Sequence, residues 1–313
     1  MKYRTKHTVL TGIAAAILVT GILPSEVMAE PDTKRAGLLK ELAETERSFA
    51  AMSVAQGMRK AFVHYFADDG YNFDSREDPI KPRQEFPKLP PQTGKPRYEL
   101  DWFPLYTDVS LAGDLGLNTG PYVVRDSTGE NPDSHGYFFS IWEKQTDGKW
   151  RVTVDIGSAT EEPDAKQKAL IWATPGSSGY MASLPVDRGR EIDALRKREV
   201  EFVKAIAQSG IDEGYRRYLS TDARLHRNGI FPLTGTDDIG GYLSRVAGTL
   251  SWQATLVKVS SSADLGYSWG KYRLAGGSAA NSHGHYCHVW KRNSEGEWKL
   301  VADIQYPIDR PDQ

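Results

Sequence analysis

Four side chains able to bind a metal or carry a proton fall within six positions, at His283, His285, Cys287 and His288. In an extended strand alternate residues share a face, so His283 and His285 point the same way, about 6.6 Å apart. That spacing suits two ligands of one metal, or one imidazole working as acid or base in an apolar pocket. A closed zinc site takes four ligands. No third ligand stands at metal spacing nearby, so neither a metal nor a cofactor is expected. His285 is the first candidate for a pocket acid, base or hydrogen-bonding group, with His283 and Cys287 beside it on the lining. Cys287 is the only cysteine of the chain, which rules out an intramolecular disulfide, and a lone thiol of this kind is expected to be buried. Asp155 and Asp303 could act as general bases near a sheet end, but a hydrogen-bonded structural role fits carboxylates there better. There is no nucleophile elbow, phosphate loop, HExxH or paired-cysteine motif.

The strands that must position these groups read as a hairpin, Gly284 to Arg292 and Glu297 to Gln305, around Asn293-Ser-Glu-Gly296. Pairing Arg292 with Glu297 sets Val289 opposite Leu300, Cys287 opposite Ala302 and His285 opposite Ile304. His285, Cys287 and Val289 then share a face with Trp298, Leu300, Ala302 and Ile304, and this apolar row is expected to pack on helices and line the pocket. Tyr286, His288, Trp290, Val301 and Asp303 fall on the other face. A slip of one residue would exchange the two faces.

The hairpin belongs to a repeat. Phe49, Gly57, Phe62 and Tyr65 match Phe202, Gly210, Tyr215 and Tyr218 at an offset of 153. Trp102, Asp114-Leu-Gly116, Gly120 and Tyr122 match Trp252, Asp264-Leu-Gly266, Gly270 and Tyr272 at 150. Ser134-His-Gly136, Trp142, Trp150 and Asp155 match Ser282-His-Gly284, Trp290, Trp298 and Asp303 at 148. One unit was therefore written twice. Each copy opens with a helix, marked in the second by Ile192, Leu195, Phe202, Val203 and Ile206 and stopped by Gly210, and a shorter helix from Ile211 to Leu219 follows. Tyr215 and Tyr218 sit at helical spacing in that shorter helix, as core residues. Thr236 is placed to cap a third helix with Ile239, Tyr242, Leu243 and Val246 on one stripe. The first copy has six prolines between residues 78 and 97 instead, which forbids a helix there and predicts an extended loop. Helices followed by a meandering antiparallel sheet make an α+β layout, with units at 36–157 and 188–307 and a linker at 158–187.

Ahead of both units, Lys2, Arg4 and Lys6 precede an apolar stretch from Val9 to Leu23 and then Val27-Met-Ala29. This is the order of a secretory signal peptide cleaved after Ala29, so a periplasmic or secreted protein is expected, with no stable membrane anchor after cleavage. The 39 basic and 41 acidic residues leave a net charge of -2. That balance and the absence of a polybasic run argue against nucleic acid as a partner.

The Asp-Leu-Gly strand, the aromatic hairpin with Val-Trp-Lys-Arg and the closing Trp-Lys-Leu-Val-Ala-Asp-Ile resemble the nuclear-transport-factor-2-like (NTF2-like) superfamily, in its ketosteroid-isomerase-like and SnoaL-like branch. The resemblance covers nearly all of the second copy, Ile192 to Ile304, and the first copy apart from its proline-rich gap. It implies two cone-shaped domains, each a curved sheet wrapped round N-terminal helices over an apolar pocket, and a dimer through outer sheet faces that two tandem copies could form within one chain. It also implies that an acid near Asp222, with Asp69 as its counterpart, can take a proton beside a carbonyl. The motifs fix no activity. The expected function is binding of a small apolar molecule in the second pocket, lined by Tyr215, Trp252, Tyr272, His283 and Cys287. The alternatives are an isomerase, dehydratase or cyclase using His285 and Asp222, and an assembly module.

Overall fold

The computed structural model describes residues 30–91, 93–94, 96–163, 171–172, 185–276 and 282–308. The expected signal peptide and most of the expected linker lie outside them. No helix among the described residues is long and apolar enough to cross a membrane.

The first unit runs α1 (Glu30–Gln56), α2 (Met58–Tyr65), β1 (Phe66–Asn72), α3 (Pro82–Glu85), β2 (Tyr98–Trp102), β3 (Tyr106–Val109), β4 (Leu115–Asp126), β5 (Ser134–Lys144), β6 (Trp150–Thr160) and β7 (Ile171–Trp172). The second runs α4 (Arg188–Ser209), α5 (Ile211–Tyr218), β8 (Leu219–His226), β9 (Leu233–Thr234), α6 (Thr236–Leu243), β10 (Thr249–Val259), β11 (Leu265–Ala275), β12 (Ser282–Arg292) and β13 (Trp298–Pro307). The sheets are ordered β1-β6-β5-β4-β3-β7, with β2 also on β4, and β10-β11-β12-β13-β8-β9. Each unit is thus α+β, a mainly antiparallel curled sheet with helices against one face. That is the architecture the resemblance implies.

The paired helices of each unit break at Gly57 and Gly210, both at φ 88°, a conformation that costs other residues steric strain. The third helix of the second unit is present as α6, but its N-cap is Gly235, one residue before Thr236. The proline-rich segment of the first unit departs from the expected extended loop. It holds α3 and a 3-10 turn, Phe86–Lys88. Pro82 stands at the first helical position, where the missing N–H has no partner to lose.

The hairpin register differs from the expected one, and the difference moves the chemistry. Arg292 pairs with Trp298 and Trp290 with Leu300; a bulge follows, and then Val289 pairs with Ala302, His288 with Asp303 and Cys287 with Ile304. A bulge puts an extra residue into one strand and switches which face its side chains take. Trp298 and Leu300 therefore lie on the helix side with Trp290 and Tyr286. Ala302 and Ile304 lie on the outer side with Cys287 and Val289. The first unit carries the same bulge between Ile141 and Trp142. Trp150 and Val152 face its helices, and Val154 and Ile156 face out. The expected pocket face was accordingly the wrong one: His285 and Cys287 point outward, and His288 and Asp303 point to the helices.

Over their central strands the outer faces do not meet water, because they pack on each other. One apolar cluster joins Leu117, Phe139, Ile141, Val154 and Ile156 of the first sheet to Tyr267, Trp269, Cys287, Val289 and Ile304 of the second. The seam is also polar in places. Lys291 donates to both oxygens of buried Asp108, at 3.0 and 2.7 Å, and Arg35 donates to Oδ1 at 2.8 Å. Burial opposes ionisation of Asp108, but Lys291 and Arg35 outweigh it and hold the carboxyl below its usual range. The repeated Asp-Leu-Gly motif works reciprocally here. Asp264 accepts the Leu111 N–H at 3.0 Å, and Asp114 accepts the Ser261 N–H at 2.8 Å.

Candidate functional site

The helix α4 buries Leu195, Phe202 and Ile206 on one stripe, and Glu199 lies on that stripe, 3% exposed. Its carboxylate accepts from Trp252 Nε1 at 2.7 Å, Trp290 Nε1 at 2.6 Å and the Ser268 hydroxyl. His288 Nδ1 completes the set, 3.1 and 3.2 Å from the two oxygens. Since a carboxylate only accepts, Nδ1 carries the proton in this contact. Burial opposes the charge of Glu199, and His288 with the surrounding donors reverses that and lowers its pKa.

On the far side of His288, Nε2 lies 3.7 Å from Asp303 Oδ1, beyond hydrogen-bond length. Asp303 is bound instead by Arg227, at 3.1 and 2.7 Å, and by the Tyr215 hydroxyl at 2.8 Å. Burial again works against ionisation, and Arg227 and His288 outweigh it, so Asp303 is held below its usual range. Burial and the Asp303 charge raise the Tyr215 phenol well above its usual value. A row of polar side chains, Glu199, His288, Asp303, Arg227 and Tyr215, hydrogen-bonded except between His288 and Asp303, thus runs through an otherwise apolar interior.

Among the described residues, four polar side-chain atoms on this inner face are buried without a hydrogen bond: Trp298 Nε1 near the hairpin end and, together, His288 Nε2, Tyr286 Oη and Gln305 Nε2. The last three are neighbours, since Tyr286 pairs with Gln305 and His288 with Asp303 across β12 and β13. The Tyr286 and His288 rings are 4.4 Å apart. The Ser268 hydroxyl acts on the Tyr286 phenol but donates its own proton to Glu199, and no hydrogen bond of good geometry forms between the two hydroxyls. Buried polar atoms are nearly always satisfied, so three adjacent exceptions set this part of the interior apart.

The first unit repeats the frame without the cations. Glu46 occupies the place of Glu199 and accepts from Trp102 at 2.7 Å, Asn118 at 3.0 Å and Trp142 at 2.7 Å. Asp155 accepts from Ser140 at 2.8 Å and Asn72 at 3.2 Å. Ser140 stands where the second unit has His288, and Phe62 where it has Tyr215. Without a positive neighbour, burial pushes Glu46 up to about 7 and Asp155 up to about 6.

Of the residues singled out from the sequence, the structure gathers Tyr215, Trp252 and Tyr272 in the second interior. It sends the others elsewhere. His285 is buried between the sheets, with Nε2 3.1 Å from the Arg76 carbonyl and its ring 4.9 Å from Phe73. Cys287 is fully buried in the same seam. His283 meets Glu77 at 2.8 Å near the surface. Asp222 takes a hydrogen bond from Ser220 on β8; its counterpart Asp69 is an exposed partner of Lys258, 3.7 Å away. Neighbouring Arg224 pairs with Ala302, and His285 pairs with Tyr306 on the other side of β13. That places His285 and Asp222 at least roughly 13 Å apart along the sheet, too far to act on one bond. Glu199, Arg227 and Gln305 are the site residues sequence reasoning passed over, and His288 is one it named but assigned to the face away from the pocket. A signal existed for the first: at the 153 offset, Glu46 and Glu199 both interrupt an apolar helical stripe between a Leu and a Phe.

No protein-family model matches this chain, and no curated protein matches it. Among solved structures, it is similar to a ketosteroid isomerase-like protein from Erwinia carotovora atroseptica, at 15% identity over 37% of this chain and 96% of that one, TM-score 0.33. It is similar to an NTF2-like protein of unknown function from Pseudomonas putida, at 12% identity over 40% and 88%, TM-score 0.32. It is also similar to an LEH-like epoxide hydrolase of Mycobacterium tuberculosis, at 15% identity over 38% and 79%, TM-score 0.29.

Proposed function

We propose that the chain is exported and that its second unit binds a small molecule with an apolar body and one hydrogen-bonding group. The observation that carries the binding reading is the trio of buried, unbonded atoms on Tyr286, His288 and Gln305. The Trp252 ring lies 6.1 Å from that of Tyr286 and 5.0 Å from that of His288, and it shares an apolar cluster with Tyr272, Leu243 and Leu250, the mixture typical of small-molecule sites. Export rests on the order of charge, apolar run and small residues before Glu30. It predicts that protein recovered from outside the cytoplasm starts at Glu30; a start at Met1 there contradicts it. For binding, the mature chain is screened by ligand-observed NMR against small ring compounds bearing a carbonyl or hydroxyl. Hits that vanish in His288→Phe support the site. A screen without hits, or hits indifferent to His288→Phe, contradicts it.

The hydrogen bond from His288 to Glu199 favours a second reading, acid–base chemistry on the bound molecule. A carboxylate that accepts the Nδ1–H hydrogen bond fixes the ring, and the neutral imidazole then carries its lone pair on Nε2, where it can serve as a base. Incubating a bound carbonyl compound in D2O reads this directly. Exchange beside the carbonyl that disappears in His288→Gln supports catalysis, and exchange no faster than in buffer contradicts it.

A further inference from the structure

Basic charge and apolar surface meet at a second place, outside both interiors. Between α2 and the proline-rich segment of the first unit lies a groove of about 830 Å³. Met52, Val63, Phe86 and Leu89 give it an apolar lining, and Arg59, Lys60, His64, Arg83 and Arg151 bring the charge. Among the described residues no acidic side chain lines it, in a chain whose acids outnumber its bases. Among the described residues, only Arg83 of these cations is paired with a carboxylate, Asp68 at 2.7 Å. Arg59 is turned to a neutral acceptor, the Pro90 carbonyl at 2.7 Å. Arg151 donates to the Trp150 carbonyl at 3.2 Å. Lys60 and Arg151 have no ion pair among the described residues. The local field is positive enough to act on His64, whose pKa is lowered first by its burial and then by Arg151, Arg83 and Lys149.

The groove is built, since its proline wall is fastened. Phe86 packs against Phe62 with ring centroids 6.2 Å apart, the Arg59–Pro90 bond ties the far end, and Arg83 donates to the Phe66 carbonyl at 3.1 Å. Leu89 remains 45% exposed on that wall. The volume lies within the range of small-molecule sites, and unpaired cations beside apolar surface are complementary to one kind of occupant. We propose that this groove binds a small anionic amphiphile, a carboxylate on an apolar chain, with Lys60 and Arg151 holding the carboxylate and Met52, Val63 and Leu89 the chain.

The test compares decanoate with decanol by calorimetry on the mature chain. Decanoate binds, decanol binds at least about tenfold more weakly, and Lys60→Gln/Arg151→Gln weakens decanoate by about tenfold, the usual size of a charge-assisted hydrogen bond. An unchanged melting temperature shows that this variant is folded, and Lys60→Ala alone, at an exposed position, serves if it is not. His288→Phe leaves decanoate affinity unchanged, which separates this groove from the second interior. Equal binding of decanol, no binding of decanoate, or decanoate affinity indifferent to the cation variants overturns the proposal. Binding to anionic phosphatidylglycerol vesicles without binding of decanoate also overturns it, in favour of a membrane surface.

Discussion

Two buried glutamates in equivalent places carry opposite pKa shifts, and the residue beside each explains why. Glu199 has His288 and is held ionised; Glu46 has Ser140 and Asp155 nearby and is pushed up to about 7. For Glu46 the folded pKa lies above the unfolded value of 4.5, so the folded state binds the proton more tightly. Stability from this group is complete below about pH 4.5 and is lost as pH rises through about 7, roughly 3 kcal/mol in all. Asp155 adds a loss of the same sign between about 4 and 6. Glu46→Gln is expected to flatten the fall in urea midpoint between pH 5 and pH 8, and an unaltered slope contradicts the assignment. Glu199→Ala leaves His288 and two indoles without their acceptor and is expected to cost about 3–5 kcal/mol by urea titration at pH 7. A loss under about 1 kcal/mol would show that the carboxylate is not the hub of the interior.

Among the elements, the repeat, the helices with their glycine breaks and the antiparallel strands were legible in the sequence. The proline-rich segment was half legible: six prolines exclude a long helix, but one of them starts a short one. The bulge was not legible. Trp298, Leu300, Ala302 and Ile304 read as one apolar face, yet they divide between two faces because Val301 is inserted among them. Apolarity on both faces concealed the switch, since the outer face is buried as thoroughly as the inner. This is why His285 and Cys287 drew attention while His288 and Asp303 carry the buried network. A related local constraint lies opposite the bulge of β10, between Ala254 and Leu256. A Cβ on Gly270 would come 1.9 Å from the Gln253 carbonyl oxygen, and one on the equivalent Gly120 would come 2.0 Å from that of Phe103. Backbone oxygens cannot swing aside, so Gly270→Ala and Gly120→Ala are each expected to lower stability by about 1–3 kcal/mol. Gly241→Ala in α6, where nothing lies within 4 Å, is expected to raise it by up to about 1 kcal/mol. Thermal melts of the three variants read both signs; a harmless Gly270→Ala contradicts the close approach.

At the scale of the whole molecule, each unit uses its outer sheet face to cover the other, which leaves the interiors as the places where buried chemistry can develop. The first interior keeps the carboxylates and lacks the basic partners; the second holds the whole set from Glu199 to Tyr215. Cys287 reports on the seam between the units. Its thiol is fully buried and burial raises its pKa well above the usual value, so an aromatic disulfide reagent is expected to label it only after denaturation. Rapid labelling of the native protein would mean that the sheets separate.

The pairing of the sheets is measured most directly by a double-mutant cycle on Asp108 and Lys291, which stand 183 positions apart and meet across the seam. Urea unfolding of Asp108→Asn, Lys291→Met and the double variant is expected to give a coupling energy of roughly 1–3 kcal/mol, the range for contacting charged groups. Additivity within about 0.5 kcal/mol would mean that the two halves do not meet face to face.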